Sequence, residues 1–374
     1  MGTTARHHWS SFAPILLSLL KALPEEPERF GDTIDTLVNS AAADSWQDFV
    51  SFASYHGVLG VIDSELTGTS RVSQQVRETS ERRRVIEELW HAHLVRGLET
   101  AVAILADARI RTCALKGPVL AARLYPKPTA RHCLDVDLLV RPEDVERALE
   151  AFTTAGYAAD TGVAATYLLT YGHHVNVARP GMAPIELHFR AYAGFGVELP
   201  AGLILTGATP FQLREGLSVL VPSPEDEFVY LAAHAAGHSF IRLVWLYDLK
   251  LLLRRYPAIQ WDRVADRAET FGVATVVAYT IRLLESWLGV VIDGVPERLR
   301  RRGVRGRIAD RLLTEVSTPQ PRSLRDNLGG LLFTSALCDS VRASAWLLQH
   351  HILRTTRRRL HRLAPVYLPD RWSA

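Results

Sequence analysis

Two aspartates separated by one residue stand in the run Leu134-Asp135-Val136-Asp137-Leu138-Leu139-Val140. The alternation of acid and apolar residue predicts a strand over 134–140. Side chains in a strand repeat with a period of two, so Asp135 and Asp137 project from one face, about 7 Å apart. Leu134, Val136 and Leu138 point the other way, into a core. Two carboxylates at that spacing repel each other unless a cation lies between them. Hard oxygen ligands held rigidly suit Mg²⁺, which takes carboxylates together with substrate phosphates. A third acid lies in Ile185-Glu186-Leu187-His188-Phe189-Arg190, a second alternating run. There Glu186, His188 and Arg190 share a face, and Ile185, Leu187 and Phe189 face the core. Glu186 is read as a third metal ligand or as a general base. His188, beside it, is placed to touch phosphate or acceptor. The alternative for these faces is solvated strand with salt bridges, which the apolar run Leu138 to Val140 argues against.

Lys116-Gly117-Pro118 closes a further apolar run, Ile110 to Lys116, and precedes a short helical pattern from Val119 to Tyr125. Strand, glycine turn and helix together present backbone N–H groups to phosphate. The Lys116 ammonium adds a point charge that would offset a triphosphate. His173 and His174 precede a strand and are candidates for the same cleft. His234 and His238 stand four apart in a helical stretch, but the residues between them are Ala235, Ala236 and Gly237. A zinc-protease motif carries a glutamate there, so a structural or cleft role is expected. Asp248, in an apolar helical stretch, either pairs with Arg242 or Arg254 or faces the cleft. Cys113 and Cys133 read as small buried residues.

The elements that must hold these side chains fall into three stretches. Residues 1–108 read as helical, with apolar residues at helical spacing over Ser45 to His56 and Ser80 to Ala108. In the second of these Val85, Leu89, Leu94, Leu98, Val102 and Leu105 carry the pattern, and Ser80 is its candidate N-cap. Residues 109–222 alternate short apolar runs with turns. Strands are expected over His174 to Ala178 and Ile185 to Phe189, joined at Pro180-Gly181, and another over Leu217 to Val221. Pro142 to Gly156 is a helix with Glu143 and Asp144 in its first turn. Residues 223–374 return to helix, beginning with Ser223 as N-cap and Pro224 behind it. Helical pattern continues over Trp245 to Leu253, Val273 to Leu288 and Leu331 to Leu353, before an arginine-rich tail, Arg354 to Arg362.

Composition sets the outer bounds. The chain has 374 residues, 48% hydrophobic and 22% charged, enough to bury a sizeable core. Its formal net charge is only +3, which argues against a dedicated nucleic-acid binder. Three cysteines with no CxxC pair fit neither a disulfide framework nor a structural zinc site, and point to a reducing, cytoplasmic setting. The run Phe12 to Leu20 is too short to cross a bilayer, and Phe228 to Leu253 is interrupted by charges. No membrane span is expected.

Taken together, Leu115-Lys116-Gly117, Leu124-Tyr125-Pro126, Arg131, Asp135 to Val140, Gly156-Tyr157 and Ile185 to His188 resemble an uncharacterised nucleotidyltransferase family with the polymerase-β-like fold. The likeness is strongest over 110–190 and extends more loosely to His234-Ala235-Ala236-Gly237-His238 and Trp245 to Leu249. Pro118 departs from the better-studied members, which carry Gly-Ser or Gly-Gly at the glycine turn. The resemblance implies an α+β fold, with a small mixed or antiparallel sheet and helices as a nucleotidyltransferase core at 109–222 between helical regions at 1–108 and 223–374. It implies ATP or another NTP, Mg²⁺ on Asp135, Asp137 and Glu186, and Lys116, Gly117, Arg131 and His188 around the nucleotide. It also implies transfer of a nucleotidyl group, AMP first, to a small-molecule or peptide acceptor, in settings such as natural-product biosynthesis. A non-catalytic accessory protein of the same fold and a kinase-like phosphotransferase are the alternatives.

Overall fold

The computed structural model describes residues 9–23, 31–34, 43–66, 74–159, 172–300, 304–312 and 324–349. The arginine-rich tail lies outside them. The organising element is a five-stranded mixed sheet in the order β1-β2-β5-β4-β3. Its strands are β1 (Cys113–Ala114), β2 (Val136–Leu139), β3 (Ala158–Ala159), β4 (His174–Ala178) and β5 (Ile185–His188). The central pair, β2 and β5, runs parallel, with Asp137 opposite Glu186 and Leu139 opposite His188. Parallel neighbours need a crossover, and here it carries helix α6 (Val145–Thr154), β3 and β4. β4 then pairs antiparallel with β5, setting His174 against His188.

The period of two sorts the sheet into two unlike faces. Val136, Leu138, Ile185, Leu187, Val175 and Val177 are buried on one face. They pack with Leu94, Leu98, Ala101 and Leu105 of a long helix α4 (Gln74–Asp107) and with Ala148 and Phe152 of α6. The opposite face carries Asp137, Glu186, His188 and His174, the polar register of the same strands.

Over that polar face lies α8 (Pro224–Gly237), followed by α9 (Leu243–Arg255). Ser223 caps α8 as its type predicts, accepting from the Asp226 N–H at 3.2 Å. Glu225, Asp226 and Glu227 fill the first turn, where the helix dipole favours acids. One hydrophobic cluster joins residues from all three stretches of the chain. It takes Leu16, Leu19 and Leu20 from α1 (Trp9–Ala22), Phe49 and Phe52 from α2 (Ala43–Tyr55), Leu120 and Leu124 from α5 (Gly117–Leu124), and Leu246, Leu249 and Leu252 from α9. Two buried ion pairs add direction to that packing. Arg123 of α5 makes a bidentate pair with Glu227 of α8, at 2.7 and 2.9 Å. Arg131 does the same with Asp248 of α9, both contacts at 2.8 Å. Lys250 of α9 donates to the carbonyls of Leu20 and Lys21 at the end of α1.

Several local expectations give way. The first strand of the acid motif is shorter than 134–140: Asp135 precedes it, and Leu134 is 56% exposed instead of facing the core. Ser80 is not a cap, because α4 begins at Gln74. Its hydroxyl donates instead to Asp63 at 2.8 Å, and Arg83 grips the same carboxylate. Val85 and Leu89 are exposed, so the apolar stripe of α4 is buried only from Leu94 onward. The helix expected over 142–156 opens with a 3-10 turn, Pro142–Asp144. Two hairpins also appear. β6 (Arg190–Gly194) returns as β7 (Val197–Pro200) through Phe195 and Gly196, both at positive φ, the backbone of a tight two-residue hairpin turn. β8 (Thr209–Arg214) pairs with β9 (Leu217–Val221), the strand expected there.

Candidate active site

Asp137 sits at the centre of the polar face and is 1% exposed. The Lys116 ammonium contacts its Oδ1 and lies 3.8 Å from Glu186 Oε2. His188 Nε2 is 3.1 Å from Asp137 Oδ1 and 3.4 Å from Glu186 Oε2. The structure therefore brings Lys116, Asp137, Glu186 and His188 into one contact group. Asp135, at the mouth of β2, is close enough for its charge to act on Lys116.

Gly117 is a steric requirement of this arrangement. Its φ is +68°, and a Cβ there would lie 2.9 Å from the Asp135 carbonyl oxygen and 3.6 Å from Asp137 Oδ2. It opens α5, whose first-turn N–H groups lack intrahelical partners. Pro118 takes the next position, where its missing N–H costs nothing.

The charges divide unevenly. Burial and the neighbouring carboxylates of Asp137 and Glu186 push the Asp135 carboxyl up to about 6, against the pull of Lys116. Burial would also raise Asp137, but the Lys116 ammonium and the hydrogen bond from His188 outweigh it and hold Asp137 well below the carboxylate range. Glu186 is held down in the same way, burial being overcome by His188 and Lys116. Burial opposes the charge on His188, yet hydrogen bonds to Asp137 and Glu186 raise its pKa. Three carboxylates with divergent proton affinities now share one cleft, the pattern by which acid and base roles separate.

Asp137 Oδ2 is buried and has no hydrogen-bond partner. An orphaned carboxylate oxygen costs about 1–3 kcal/mol or more unless something occupies it. That oxygen, with Glu186 and Asp135 beside it, is a hard donor set and fits Mg²⁺.

Arg131 stands apart. Its guanidinium is spent on Asp248 and, through Nη1, on Cys133 Sγ at 3.1 Å. Tyr125 Oη adds a third bond to Asp248 at 2.7 Å. This buried bond network ties the turn before β2 to α9 and holds Arg131 outside the contact group of Lys116, Asp137, Glu186 and His188. Asp248 accordingly pairs with neither Arg242 nor Arg254. Arg242 donates to the Tyr55 carbonyl.

A wall of rings faces the acids. His173, His174 and His188 have centroids 4.7–5.5 Å apart, and Tyr192 of β6 lies 5.6 Å from His173. Burial lowers the His173 pKa to about 2 and lowers that of His174, which favours the neutral ring. His234 on α8 and His238 at its C-terminal cap pack on each other and on Trp245. Burial holds His234 well below its usual value, and the nearby Lys116 charge adds to this. Tyr230, one helical turn earlier, feels Lys116, Asp137 and Glu186 directly, and burial raises its pKa. Tyr230 was not evident among the motif residues. Its signal is the spacing 230, 234, 238, one ring at every fourth position along a single helix face. Gly237 lets this helix approach Tyr192, because any Cβ there would collide with the phenol.

No curated protein matches the chain. A family model does match, over residues 42–289, well over half of the sequence and the whole of the acid-bearing sheet. By that match the chain belongs to the family described as uncharacterised nucleotidyltransferase.

Proposed function

We propose that this protein transfers a nucleotidyl group, AMP from ATP in the first instance, to a small-molecule or peptide acceptor in a Mg²⁺-dependent reaction. The observation that carries this reading is the meeting of Asp137 and Glu186 around Lys116, with Asp135 at the edge and Gly117 beneath. Asp135, Asp137 and Glu186 would hold Mg²⁺, which when bound polarises the phosphoryl oxygens and orients the triphosphate. Lys116 offsets charge on the leaving phosphates, and the first turn of α5 offers N–H groups to them. An acceptor oxygen attacks the α-phosphorus, the bond to the bridging oxygen breaks, and pyrophosphate departs with the electron pair. The acceptor's proton passes to a carboxylate of the cluster. In the ion-free cleft Asp135 holds a proton most readily of the three, whereas His188 and Lys116 hold Glu186 down.

The ring wall of His173, Tyr192 and α8 would form the acceptor side of the cleft. The setting in natural-product biosynthesis is supported by the resemblance of the motif set. Three free cysteines, each buried, suit a reducing cytoplasmic compartment. Among the described residues no helix is long and apolar enough to cross a membrane.

The test is incubation with α-labelled NTPs, Mg²⁺ and candidate acceptors, beside an Asp135→Ala/Asp137→Ala control. Label on the acceptor with pyrophosphate release supports the proposal. ADP release would replace it with γ-phosphoryl transfer, and tight nucleotide binding with neither product would make the protein an accessory binder. Transfer that persists unchanged in the control would remove the two aspartates from the mechanism.

A further inference from the structure

The acid cluster does not use His173 and His174, and their rings need explaining. Each of His173, His174 and His188 offers a ring nitrogen such that all three atoms lie within 4.8 Å of one another. Nitrogens around a tetrahedral zinc at about 2.1 Å stand roughly 3.4 Å apart, so small side-chain movements close the remaining gap. His188 is 2% exposed, and the Nδ1 atoms of both His174 and His188 are buried without a hydrogen-bond partner. Those Nδ1 atoms lie on the far edge of each ring from Nε2, and it is the Nε2 atoms that turn toward a shared carboxylate, Glu186.

The backbone fixes this grouping. His174 and His188 are directly opposed across β4 and β5. The Phe189 N–H donates to the His173 carbonyl at 2.9 Å, anchoring His173 at the strand end. A fourth donor is at hand: Glu186 Oε1 lies 3.8 Å from His174 Nε2, and its Oε2 lies 3.4 Å from His188 Nε2. Three imidazoles and one carboxylate form a nitrogen-rich set. Mg²⁺ prefers oxygen, whereas Zn²⁺ and its neighbours in the transition series bind imidazole well.

We infer that His173, His174 and His188, with Glu186 as the shared carboxylate, form a second cation site selective for an imidazole-binding divalent ion such as Zn²⁺ or Co²⁺. This site stands beside the oxygen-rich group of Asp135 and Asp137 and does not require the nucleotidyl-transfer reading to hold. Glu186 would then face both cations, with the harder ion on the aspartate side and the softer one on the histidine side. The three carboxylates outnumber Lys116 and a protonated His188, so net negative charge remains in the cleft, which favours an added divalent ion.

The test uses the full chain stripped with chelator and titrated with Co²⁺ in the absence of nucleotide, read by visible absorption and by metal analysis. One equivalent should bind and remain bound in millimolar Mg²⁺. His173→Ala/His174→Ala should weaken binding at least tenfold, whereas His234→Ala, outside the group, should leave it intact. If the double variant does not fold, by circular dichroism, His173→Asn/His174→Asn takes its place. Displacement of Co²⁺ from the wild type by Mg²⁺ would place the ion on the aspartates and overturn the inference without any variant. Unchanged affinity in the folded double variant would overturn it as well. Nucleotide transfer is assayed separately, so its failure and the failure of this site are read in different experiments.

Discussion

Two of the buried charge clusters in this protein, those around Asp248 and Asp137, are built on opposite terms. Around Asp248 every oxygen has a donor: Arg131 covers both, and Tyr125 adds to one. Around Asp137 the donors crowd onto Oδ1, while Oδ2 and the Nδ1 of His188 have none. Both clusters hold an acid, a base and an aromatic hydroxyl nearby. The first is complete and behaves as a fastener between the turn before β2 and helix α9. The second is incomplete, and its unfilled atoms point to a ligand. Unsatisfied hydrogen-bonding capacity within a group of charges, more than burial, separates this site from that fastener.

The sharpest way to break this contrast is to remove one acid from each cluster. Asp137→Asn should lower nucleotidyl transfer by at least a thousandfold, about 4 kcal/mol of barrier. Its melting temperature should change little, because Lys116 keeps Glu186 as a partner. Asp248→Asn should do the reverse. Breaking a buried pair from one side strands the other charge and typically costs about 3–5 kcal/mol, so denaturant midpoints should fall clearly. The surviving folded fraction should keep its turnover per active molecule. Equal loss of stability in both variants would erase the distinction.

Glu186 tests the site cluster more finely. Glu186→Ala should cost more than about tenfold in turnover, about 1.4 kcal/mol. The loss should be smaller than for Asp137, since Glu186 lies at the rim of the group with a quarter of its side chain exposed. Steady-state rates with saturating NTP decide it, and wild-type turnover would remove Glu186 from the mechanism.

The polar face was legible because the period of a strand is rigid. Asp137, Glu186 and His188 follow from alternation alone, and their meeting follows once β2 and β5 are neighbours. Ser223 and the β4–β5 turn were legible for similar local reasons, a cap side chain and Pro180-Gly181. What alternation does not carry is long-range choice of partner. Arg131 and Asp248 are 117 positions apart, and an arginine beside an acid motif looks the same whether it binds phosphate or a distant helix. The β6–β7 hairpin turns on Phe195-Gly196, where an Asn-Gly pair would have signalled it. Leu134, Val85 and Leu89 carry the right residue types for a core, but helix α4 extends past the surface that covers it and Leu134 lies before β2 begins.

His56 sharpens the comparison by being an exception to it. Both of its ring nitrogens are buried without partners, yet it packs against Phe52 and Tyr55, away from the acids. An unfilled atom alone therefore does not make a site; the charged neighbours around Asp137 do. Burial, with the nearby Arg242 charge, lowers the His56 pKa from 6.5 to about 3. Above pH 6.5 the ring is neutral in folded and unfolded chains, and its contribution to stability is intact. As pH falls below 6.5 the unfolded chain takes a proton that the folded one refuses until about pH 3. Stability is lost across that window at about 1.4 kcal/mol per pH unit from this group. His56→Phe removes the titration while keeping an aromatic ring beside Phe52. The difference in urea midpoint between wild type and variant should be small at pH 7.5 and should grow in the variant's favour as pH drops toward 4. A constant difference across that range would mean that His56 is already protonated or solvated in the folded chain.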